Sequence, residues 1–479
     1  MERGGATRVL RALAPALVAA LFALACGPVG AAAASTGLRG KEGPSAGTKV
    51  NAHPSEVTLT PQLTAAGGVA VTTAPVGLSI EYPVMAEDLG SAPCPPPALA
   101  AQLLQLGSPP LELGGVSQDM TAPAGALSGP PASWDTATLY SLPPAFWSQL
   151  HCLLAAAKDP LTVGLDVRTG SLSWATQMAT EAESAATAGL SFSLGNEPDL
   201  YALPDYESLD KPFAGEEAAA ASLYIQLAGA LRGALGGAPL VGPELARAGD
   251  WRDQLPRVIE QLHEQTVGVH LYPLTACASP RAVTIGGLLS PQAADGPTRY
   301  AWVSADARAA GLPAIISEAN SASCGGLSGV SDSPAAAVWA VRFVLSALKA
   351  GFQEVRFHFS GNSYDPFILR GGEVLTRPLE RALIALNQWL PVGATLHTVP
   401  GVRELLATAA GQPGGGIVLI LDNERAEARP VLLRGARSVR TALFEPDRAG
   451  AQTGMLSSAH GRIRFTVAAN SVLALSSVP

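Results

Sequence analysis

Two glutamates stand at the ends of otherwise apolar stretches, where an ionisable side chain is unexpected. Glu197 lies in a Leu-Gly-Asn-Glu-Pro motif that ends at Pro198, and Glu318 lies in an Ile-Ser-Glu-Ala-Asn motif that ends at Asn320. A carboxylate beside an apolar core loses solvation unless the site uses it. Two facing carboxyl groups can act as an acid and a base when their surroundings separate their pKa values. For either glutamate alone, a loop carboxylate that caps the next helix is an equally good interpretation.

The elements that must position these glutamates alternate between strand and helix from about residue 75 to 390. Apolar stretches typical of strands lie at 76–82, 111–115, 161–167, 191–197, 240–245, 266–273, 314–320 and 355–359. Ala-rich stretches typical of helices lie at 96–106, 145–158, 173–188, 215–235, 250–264, 297–310, 333–350 and 376–389. Eight such units predict an α/β fold, a (β/α)8 barrel. The alternative is a doubly wound open sheet, but the turn at 81–84 lacks the Gly-rich phosphate-binding loop typical of that fold.

Chemistry in such a barrel takes place at the C-terminal ends of the strands. Glu197 ends the fourth predicted strand and Glu318 lies near the end of the seventh. Two carboxyl groups that flank a sugar are the catalytic groups of glycoside hydrolysis, in which one donates a proton and the other attacks or stabilises the sugar carbon. Together, the two glutamates on these two strands favour that chemistry.

Several motifs resemble glycoside hydrolase family 79, the β-glucuronidase and heparanase-like family. The Asn-Glu-Pro motif at Pro198 is similar to the signature of the clan of retaining glycosidases that use strands four and seven. The family-level resemblance also rests on the segment 315–332, which contains Glu318 and a Cys-Gly-Gly motif. Further support comes from Leu-Ser-Ile-Glu ending at Glu81, Leu-Gly-Gly-Val-Ser-Gln-Asp ending at Asp119, His-Leu-Tyr-Pro ending at Pro273 and Phe-His-Phe ending at Phe359. The resemblance covers most of residues 75–390.

The resemblance implies a role for five side chains. Glu197 would be the general acid/base and Glu318 the nucleophile of a retaining mechanism. Asn196 would donate a hydrogen bond to the 2-hydroxyl of the sugar, Glu81 would accept hydrogen bonds from sugar hydroxyls, and Tyr272 would hydrogen-bond near Glu318. An ion pair of Glu81 with an arginine, and a turn merely shaped by Tyr272, are the alternatives.

Recognition of a uronic acid would fall to the loop after the eighth strand. Gly361, Asn362 and Tyr364 are the candidates, through a backbone N–H and the tyrosine hydroxyl. Packing of Tyr364 over the barrel mouth is the alternative. Arg356 could instead hold the carboxylate, but an arginine of the inner barrel layer paired with a carboxylate is an equally good interpretation. His358 is expected to pack in the barrel rather than bind a ligand.

Two departures from the family pattern bear on the identity of the sugar. Val116 stands where related sequences commonly have Asn, and no second tyrosine follows Glu318 closely. The implied activity is hydrolysis of β-linked glucuronosides. The alternatives are a glycosidase of the same clan that acts on a neutral sugar and a non-catalytic carbohydrate-binding barrel. Retention of both glutamates disfavours the latter.

The two ends of the chain differ from the barrel. Arg3, Arg8 and Arg11 precede an apolar run at 12–26 and a small-residue stretch, which predicts a signal peptide over residues 1–34 and a secreted or periplasmic protein. An anchor helix and lipid attachment at Cys26 are the alternatives. Residues 35–74 are predicted to form a linker and N-terminal strands that join a C-terminal β-sandwich at 391–479, with 75–390 as the catalytic barrel. The strands expected in the sandwich are 416–421, 429–433, 441–444, 462–467 and 471–475.

Four cysteines remain after the leader, and export permits disulfides. Cys277 follows the sixth strand and Cys324 follows the seventh, so adjacent loops could bring them together. We therefore predict that pair at the rim, while Cys94 and Cys152 have no clear assignment. Four unpaired thiols are the alternative.

Charge excludes some partners. The chain of 479 residues has 39 acidic and 31 basic side chains and a formal net charge of -8, which cleavage after Ala34 would deepen to -10 by removing three Arg and one Glu. Nucleic acid is therefore not an expected partner, and no stretch after the leader is long and apolar enough for a membrane span. No three His or carboxylates show metal-ligand spacing, so neither a metal nor a cofactor is predicted. The expected partner is a glycoside or oligosaccharide that contains uronic acid, and no feature fixes an oligomeric state.

Overall fold

The computed structural model describes residues 56–60, 68–126, 140–201, 217–277, 279–399, 405–458 and 460–477. The signal peptide predicted over 1–34, the alternative of lipid attachment at Cys26 and the linker that follows lie outside these residues. Within the described ranges, no helix combines the length and the apolar character needed to cross a membrane.

Eight parallel strands form a barrel in the order in which the chain supplies them. Barrel strands one to eight are Val76–Glu81, Leu111–Gly114, Leu161–Leu165, Leu190–Leu194, Leu240–Val241, Val267–Leu271, Ala314–Ala319 and Val355–Phe359. Strand eight pairs with strand one. Single bridges from Val241 to Thr266 and from Leu245 to Val269 join strands five and six. Each predicted strand stretch overlaps one of these strands, and the pairing of strand eight with strand one, together with the bridges between strands five and six, excludes the open sheet.

Helices cover the outside of the barrel. They span Tyr82–Leu89, Pro97–Gln105, Phe146–Ala157, Leu172–Ala185, Glu217–Ala234, Leu255–Leu262, Ile285–Leu288, Pro291–Ala294, Ala301–Ala309, Pro334–Lys349 and Pro378–Trp389. Shorter 3₁₀ turns span Val116–Met120, Pro198–Leu200, Pro280–Ala282 and Gly296–Tyr300. The helix directly after strand one was not predicted from the sequence. It begins with a proline in its first turn, where the missing N–H costs nothing.

Two antiparallel or mixed sheets flank the barrel. The seven-stranded sheet has the order Val69–Ala70, Thr395–Thr398, Leu406–Gly411, Ile417–Asn423, Ser471–Ser477, Ser438–Phe444 and Gln452–Ser457. The three-stranded sheet has the order Val57–Leu59, Arg429–Arg434 and Arg462–Val467. One hydrophobic cluster contains side chains from both sheets. The two N-terminal strands therefore pair with C-terminal strands, but they do so in different sheets.

Side chains alternate between the two faces of a strand, so the seven-stranded sheet packs against the barrel helices on one face and against the three-stranded sheet on the other. Val418 and Ile420 belong to the main hydrophobic cluster with the barrel helices, whereas Leu419 and Leu421 belong to the cluster shared with the three-stranded sheet. The helix Pro334–Lys349 lies at this junction and is buried on nearly all sides, which explains its almost uniformly apolar sequence. Its one buried cation, Arg342, forms an ion pair of 2.8 Å with Asp422 of the sheet.

The barrel interior contains a buried ionic network below the mouth. Arg356 of strand eight lies 2.6 Å from Glu354 and 2.8 Å from Glu112, and it also donates to Thr162. Burial alone would lower the pKa of this guanidinium, but the two carboxylates raise it. Of the two sequence interpretations of Arg356, the structure therefore supports the inner-layer arginine, which is already paired with two carboxylates.

Candidate active site

Glu197 and Glu318 face each other at the C-terminal end of the barrel. Glu318 lies in strand seven, and Glu197 lies three residues beyond strand four. Both side chains are buried, with 6% of Glu197 and 3% of Glu318 exposed. One carboxylate oxygen of each lies within 4.8 Å of the other. That spacing agrees with the roughly 5–5.5 Å between the carboxyl groups of retaining glycosidases and is shorter than the roughly 6.5–9.5 Å of inverting ones.

The backbone that carries Glu197 is held in an unusual conformation. Glu197 has φ 48° and ψ 55°, in the left-handed region that residues other than glycine rarely adopt. Its N–H donates to the carbonyl of Glu244 at 3.0 Å. The N–H of Asn196 donates to the carboxylate of Asp119 at 3.1 Å. A left-handed residue costs on the order of 1–3 kcal/mol and persists where its surroundings fix it. These two hydrogen bonds are such constraints.

His270 contacts both carboxylates but lies closer to Glu197. Its Nδ1 atom is 2.9 Å from Glu197 Oε1 and 3.9 Å from Glu318 Oε2. Burial raises the pKa of Glu197 to about 7, with further contributions from the Glu81 and Asp119 charges, while His358 opposes them. A carboxyl with that pKa is protonated over much of the acidic and neutral range, which suits a proton donor.

Glu318 has a different set of partners. Tyr272 donates a hydrogen bond of 2.6 Å to Glu318 Oε1. Burial, with a smaller contribution from the Glu197 charge, raises the pKa of Glu318 above its usual value, although His358, His270 and the Tyr272 hydrogen bond act in the opposite direction. Burial also raises the pKa of the Tyr272 hydroxyl well above its usual value, so this group remains a donor. The two glutamates therefore share burial, while the hydrogen bond from Tyr272 is specific to Glu318.

His358 bridges Glu318 and Glu81, which corrects the expectation that it only packs. Its Nδ1 is 3.3 Å from Glu318 Oε2 and its Nε2 is 3.3 Å from Glu81 Oε1. Burial lowers its pKa, but the two carboxylates outweigh burial and raise that pKa to about 9. A protonated imidazole can donate to both carboxylates at once. His358 therefore places a positive charge directly beside Glu318.

Glu81 ends strand one and lies on the wall of the same site. It accepts a hydrogen bond of 2.8 Å from the N–H of Ser117, and its cationic partner is His358 rather than the arginine considered as an alternative. Gly115 permits this approach. A Cβ atom there would lie 2.6 Å from Glu81 and from His358, and the residue has φ 69°.

The loop after strand eight is held by its own hydrogen bonds. Asn362 donates from its side chain to the carbonyl and the hydroxyl of Ser360. The Ser360 hydroxyl donates to the Tyr364 hydroxyl at 2.8 Å. Tyr364 is 3% exposed, and its ring lies 5.9 Å from that of His358 and 6.3 Å from that of Tyr272. The loop is thus adjacent to the paired carboxylates, with Gly361 at its turn in a left-handed conformation.

Asn196 lies beside Glu197 and is 6% exposed. Its backbone N–H is bonded to Asp119, but its side-chain Oδ1 is buried with no hydrogen-bond partner among the described residues. Buried polar atoms are seldom left unpaired. An unpaired amide oxygen beside two carboxylates suits a ligand hydroxyl.

Three residues of the site were not assigned a role from the sequence. His270 and His358 lie inside apolar strand stretches, and Asp119 lies in the 3₁₀ turn after strand two. Asp119 accepts hydrogen bonds from the Tyr201 hydroxyl and from the N–H of Asn196. The only feature of the sequence that could have identified these three residues is their position, because each lies at or beside the C-terminal end of a predicted strand.

The predicted disulfide is present at the rim of the site. Cys277 and Cys324 are bonded, with their Cα atoms 5.3 Å apart. Next to it, the short strands Leu274–Thr275 and Ala322–Ser323 pair in parallel, which joins the loops after strands six and seven. Cys94 and Cys152, which had no assignment, form the second disulfide. The alternative of four unpaired thiols is therefore wrong.

One group of side chains in the described part has the spacing of metal ligands. It consists of Glu197, His270 and Glu318, with ligand atoms within 4.8 Å of one another. His270 Nδ1 is already at hydrogen-bond distance from Glu197. The expectation that the chain uses no metal or cofactor stays a prediction.

The fold matches solved glycoside hydrolases. A 4-O-α-L-rhamnosyl-β-D-glucuronidase from Fusarium oxysporum 12S is 20% identical, with a TM-score of 0.67, and the match covers 87% of this chain and 100% of that chain. A GH51 arabinofuranosidase from Xanthomonas axonopodis pv. citri is 12% identical, with a TM-score of 0.60 and coverage of 86% and 97%. A GH30 endoxylanase from Clostridium papyrosolvens C71 is 11% identical, with a TM-score of 0.55 and coverage of 89% and 100%.

These likenesses show the architecture, a (β/α)8 barrel of the kind found in glycoside hydrolases with different substrates. No protein-family model matches the sequence, and no curated protein matches it.

Proposed function

We propose that the protein is a retaining β-glycosidase in which Glu318 is the nucleophile and Glu197 the general acid/base. The observation that carries this proposal is the pair of buried carboxylates within 4.8 Å of each other at the C-terminal end of the barrel. Their partners differ in the way the two roles require. Burial favours the protonated form of both glutamates and the charge of His358 opposes it in both, but the Tyr272 hydrogen bond favours the ionised form of Glu318 alone.

The reaction would proceed in two displacements. Glu318 attacks the anomeric carbon, the bond from that carbon to the leaving oxygen breaks, and Glu197 gives its proton to this oxygen. A covalent glycosyl–Glu318 ester results. Glu197, now ionised, removes a proton from water, whose oxygen attacks the same carbon and releases Glu318. Asn196, with its unpaired Oδ1, would contact the 2-hydroxyl, and Glu81 would accept from other sugar hydroxyls.

We further propose that the sugar is a β-linked glucuronic acid, as the resemblance to glycoside hydrolase family 79 implies. Arg356 is already paired with two glutamates, so neutral donors of the strand-eight loop would recognise the carboxylate. Tyr364 accepts from Ser360, which leaves its own hydroxyl proton for a ligand. Backbone N–H groups near Gly361 and Asn362 would add to this site. The structural likeness to a rhamnosyl-glucuronidase supports the choice.

Xylanases and arabinofuranosidases also share the fold, so a neutral sugar is the second candidate. The departure at Val116 favours it, because the usual Asn would add a polar contact near the sugar. A non-catalytic barrel is the third candidate, and the two glutamates with their separate partners disfavour it.

Export is the setting that we propose. Two disulfides form readily in an oxidising compartment, which agrees with the signal peptide predicted over 1–34. The division into a barrel at 75–390 and a β-domain at 391–479, joined by N-terminal strands from 35–74, belongs to the same proposal.

A panel of aryl β-glycosides tests the activity and the sugar together. The aryl β-glucuronide should be turned over faster than the glucoside, galactoside and xyloside. Preference for a neutral aryl glycoside would refute the uronate assignment alone, and turnover of none would refute the enzyme. Glu318→Gln should abolish turnover, whereas azide should restore turnover of an activated substrate by Glu197→Ala. Glu373→Gln, at an exposed glutamate of the hairpin Phe367–Thr376, is the matched control and should retain activity.

A further inference from the structure

Positive charge is concentrated in the C-terminal part of an otherwise acidic chain. Residues 391–479 contain nine Arg and no Lys against six Asp or Glu, whereas the whole chain has a net charge of -8. This region is thus a local source of positive potential on a protein whose remaining surface repels anions at long range.

Four of these arginines are exposed around one face of the three-stranded sheet. In that sheet Val431, Leu433 and Ile463 point into the core, so the alternate residues point outward. Arg434 and Arg462 are directly opposite each other across the ladder. Arg464 follows Arg462 by two residues on the same face, and Arg437 lies in the turn beyond Arg434. We call Arg434, Arg437, Arg462 and Arg464 the arginine cluster.

The cluster is not explained by internal ion pairing. Arg464 lies 2.9 Å from Glu56, but the pair is open to solvent, with 68% of the Arg464 side chain and 38% of the Glu56 side chain exposed. In the described part of the chain, no carboxylate forms an ion pair with Arg434, Arg437 or Arg462. Like charges directly opposite each other destabilise a pair of strands. Arg434 and Arg462 therefore reduce stability where a neutral pair would not.

We infer that this face binds an anionic polysaccharide, a polymer of uronic acids. Arginine forms bidentate hydrogen bonds with carboxylates, and its flat guanidinium also stacks on apolar surfaces such as a sugar ring. Opposite residues of a ladder lie about 5 Å apart and alternate residues of one strand about 7 Å apart. Several guanidinium groups of the arginine cluster can therefore contact one extended polysaccharide chain. The choice of a polyuronate rests on the proposed function, and the surface would hold the polymer while the barrel cleaves it.

Electrophoresis through gels that contain alginate tests this binding without catalysis. The inactive Glu318→Gln protein should be retarded by alginate and not by neutral laminarin, and salt should weaken the effect. Adding Arg434→Gln with Arg462→Gln should weaken binding about tenfold, because two charged contacts are lost. Adding Arg257→Gln with Arg308→Gln, at exposed positions on barrel helices, makes the same charge change and should leave binding within about twofold.

Three results would overturn the inference. The first is no retardation by alginate, and the second is equal retardation of the Arg434/Arg462 variant and its control. The third is retardation by DNA and dextran sulfate that equals the retardation by alginate, which would indicate nonspecific binding to polyanions. Thermal unfolding separates binding from folding, since removing the like-charge pair should maintain or raise the Tm. Turnover of an aryl glucuronide should be unchanged in an Arg434/Arg462 variant that retains Glu318. Failure of the proposed function would appear in that assay, and failure of the inference in the gels.

Discussion

Replacing His358 with Gln is expected to move the whole pH profile of kcat/KM to higher pH. His358 lies 3.3 Å from both Glu318 and Glu81 and has a pKa of about 9, so it is positively charged at neutral pH. That charge lowers the pKa of Glu318 and also that of Glu197. Gln can still donate a hydrogen bond but has no charge. Both the acid limb, set by Glu318, and the alkaline limb, set by Glu197, should therefore rise.

The magnitude follows from the distance. Two unit charges 3.3 Å apart interact by about 5 kcal/mol at an effective dielectric constant of ~20. One pKa unit corresponds to about 1.4 kcal/mol, so the upper limit for Glu318 is a shift of roughly 3–4 pH units. Glu81 shares the charge and the protein relaxes around the new side chain. We therefore expect the acid limb to rise by at least about one pH unit, and the alkaline limb, set by the more remote Glu197, to rise less.

The assay is kcat/KM for an aryl β-glucuronide from about pH 4 to about pH 9, a range that includes the pKa of about 7 of Glu197 and that of about 9 of His358. His151→Gln is the control, because His151 lies on the helix Phe146–Ala157 and contacts the carbonyl of Ala185. Its profile should coincide with that of the unaltered protein. Lower activity of His358→Gln with both limbs unmoved would mean that His358 is neutral and only packs, and the electrostatic argument would be refuted.

Three further outcomes are expected. Asp119→Asn should lower kcat by about 10–100-fold with a smaller change in KM, because the acceptor of the Asn196 N–H loses its charge and the acid/base is displaced. If Asp119→Asn and Asp119→Ala lowered thermal stability equally and left kcat unchanged, Asp119 would have a role in folding alone. The free energy of unfolding measured in urea should be lower at pH 8 than at pH 5. Burial raises the pKa of several carboxyls, to about 8 for Glu264, and the stability that their protonated forms contribute is lost as the pH rises from ~4.5 through that pKa. An unfolding free energy that does not change between pH 5 and pH 8 would contradict this prediction. Changing Cys277 and Cys324 together to Ser should lower the unfolding free energy by about 2–4 kcal/mol in urea titration, since the bond closes a loop with a sequence separation of 47; unchanged stability would show that the bond does not form.

The barrel could be predicted because the features that distinguish its strands from its helices are local in the sequence. Strands buried on both faces are short apolar runs, and the helices between them are long and Ala-rich, so both appear in the sequence without knowledge of contacts. The positions of Glu197 and Glu318 followed from the same pattern, since each interrupts an apolar run near its C-terminal end. The strands Thr395–Thr398, Leu406–Gly411 and Gln452–Ser457 were missed. Leu406–Gly411 is rich in Ala and Gln452–Ser457 is largely polar at a sheet edge, so neither has the composition typical of a strand.

The contacts of the site could not be predicted in the same way, because they depend on register between strands. His270 lies opposite Glu318 beside a register shift after Val269, which no residue of the sequence announces. His358 reaches Glu81 only because strand eight pairs with strand one and Gly115 leaves room. A histidine in an apolar run has many core environments available. Only the closed ring of strands selects the one between two carboxylates.

A raised pKa by itself does not distinguish this site from the rest of the molecule. Burial raises the pKa of Asp159 and Asp422 to about 7, yet Asp159 follows the helix Phe146–Ala157, and Asp422, in the seven-stranded sheet, pairs with Arg342. Perturbed titration marks functional sites only in combination with geometry. The distinctive feature of Glu197 and Glu318 is that each has its own hydrogen-bond partner at the end of strand six, His270 for Glu197 and Tyr272 for Glu318, while their oxygens stay within 4.8 Å. That convergence requires residues from strands four, six, seven and eight, and core packing alone gives no reason for it.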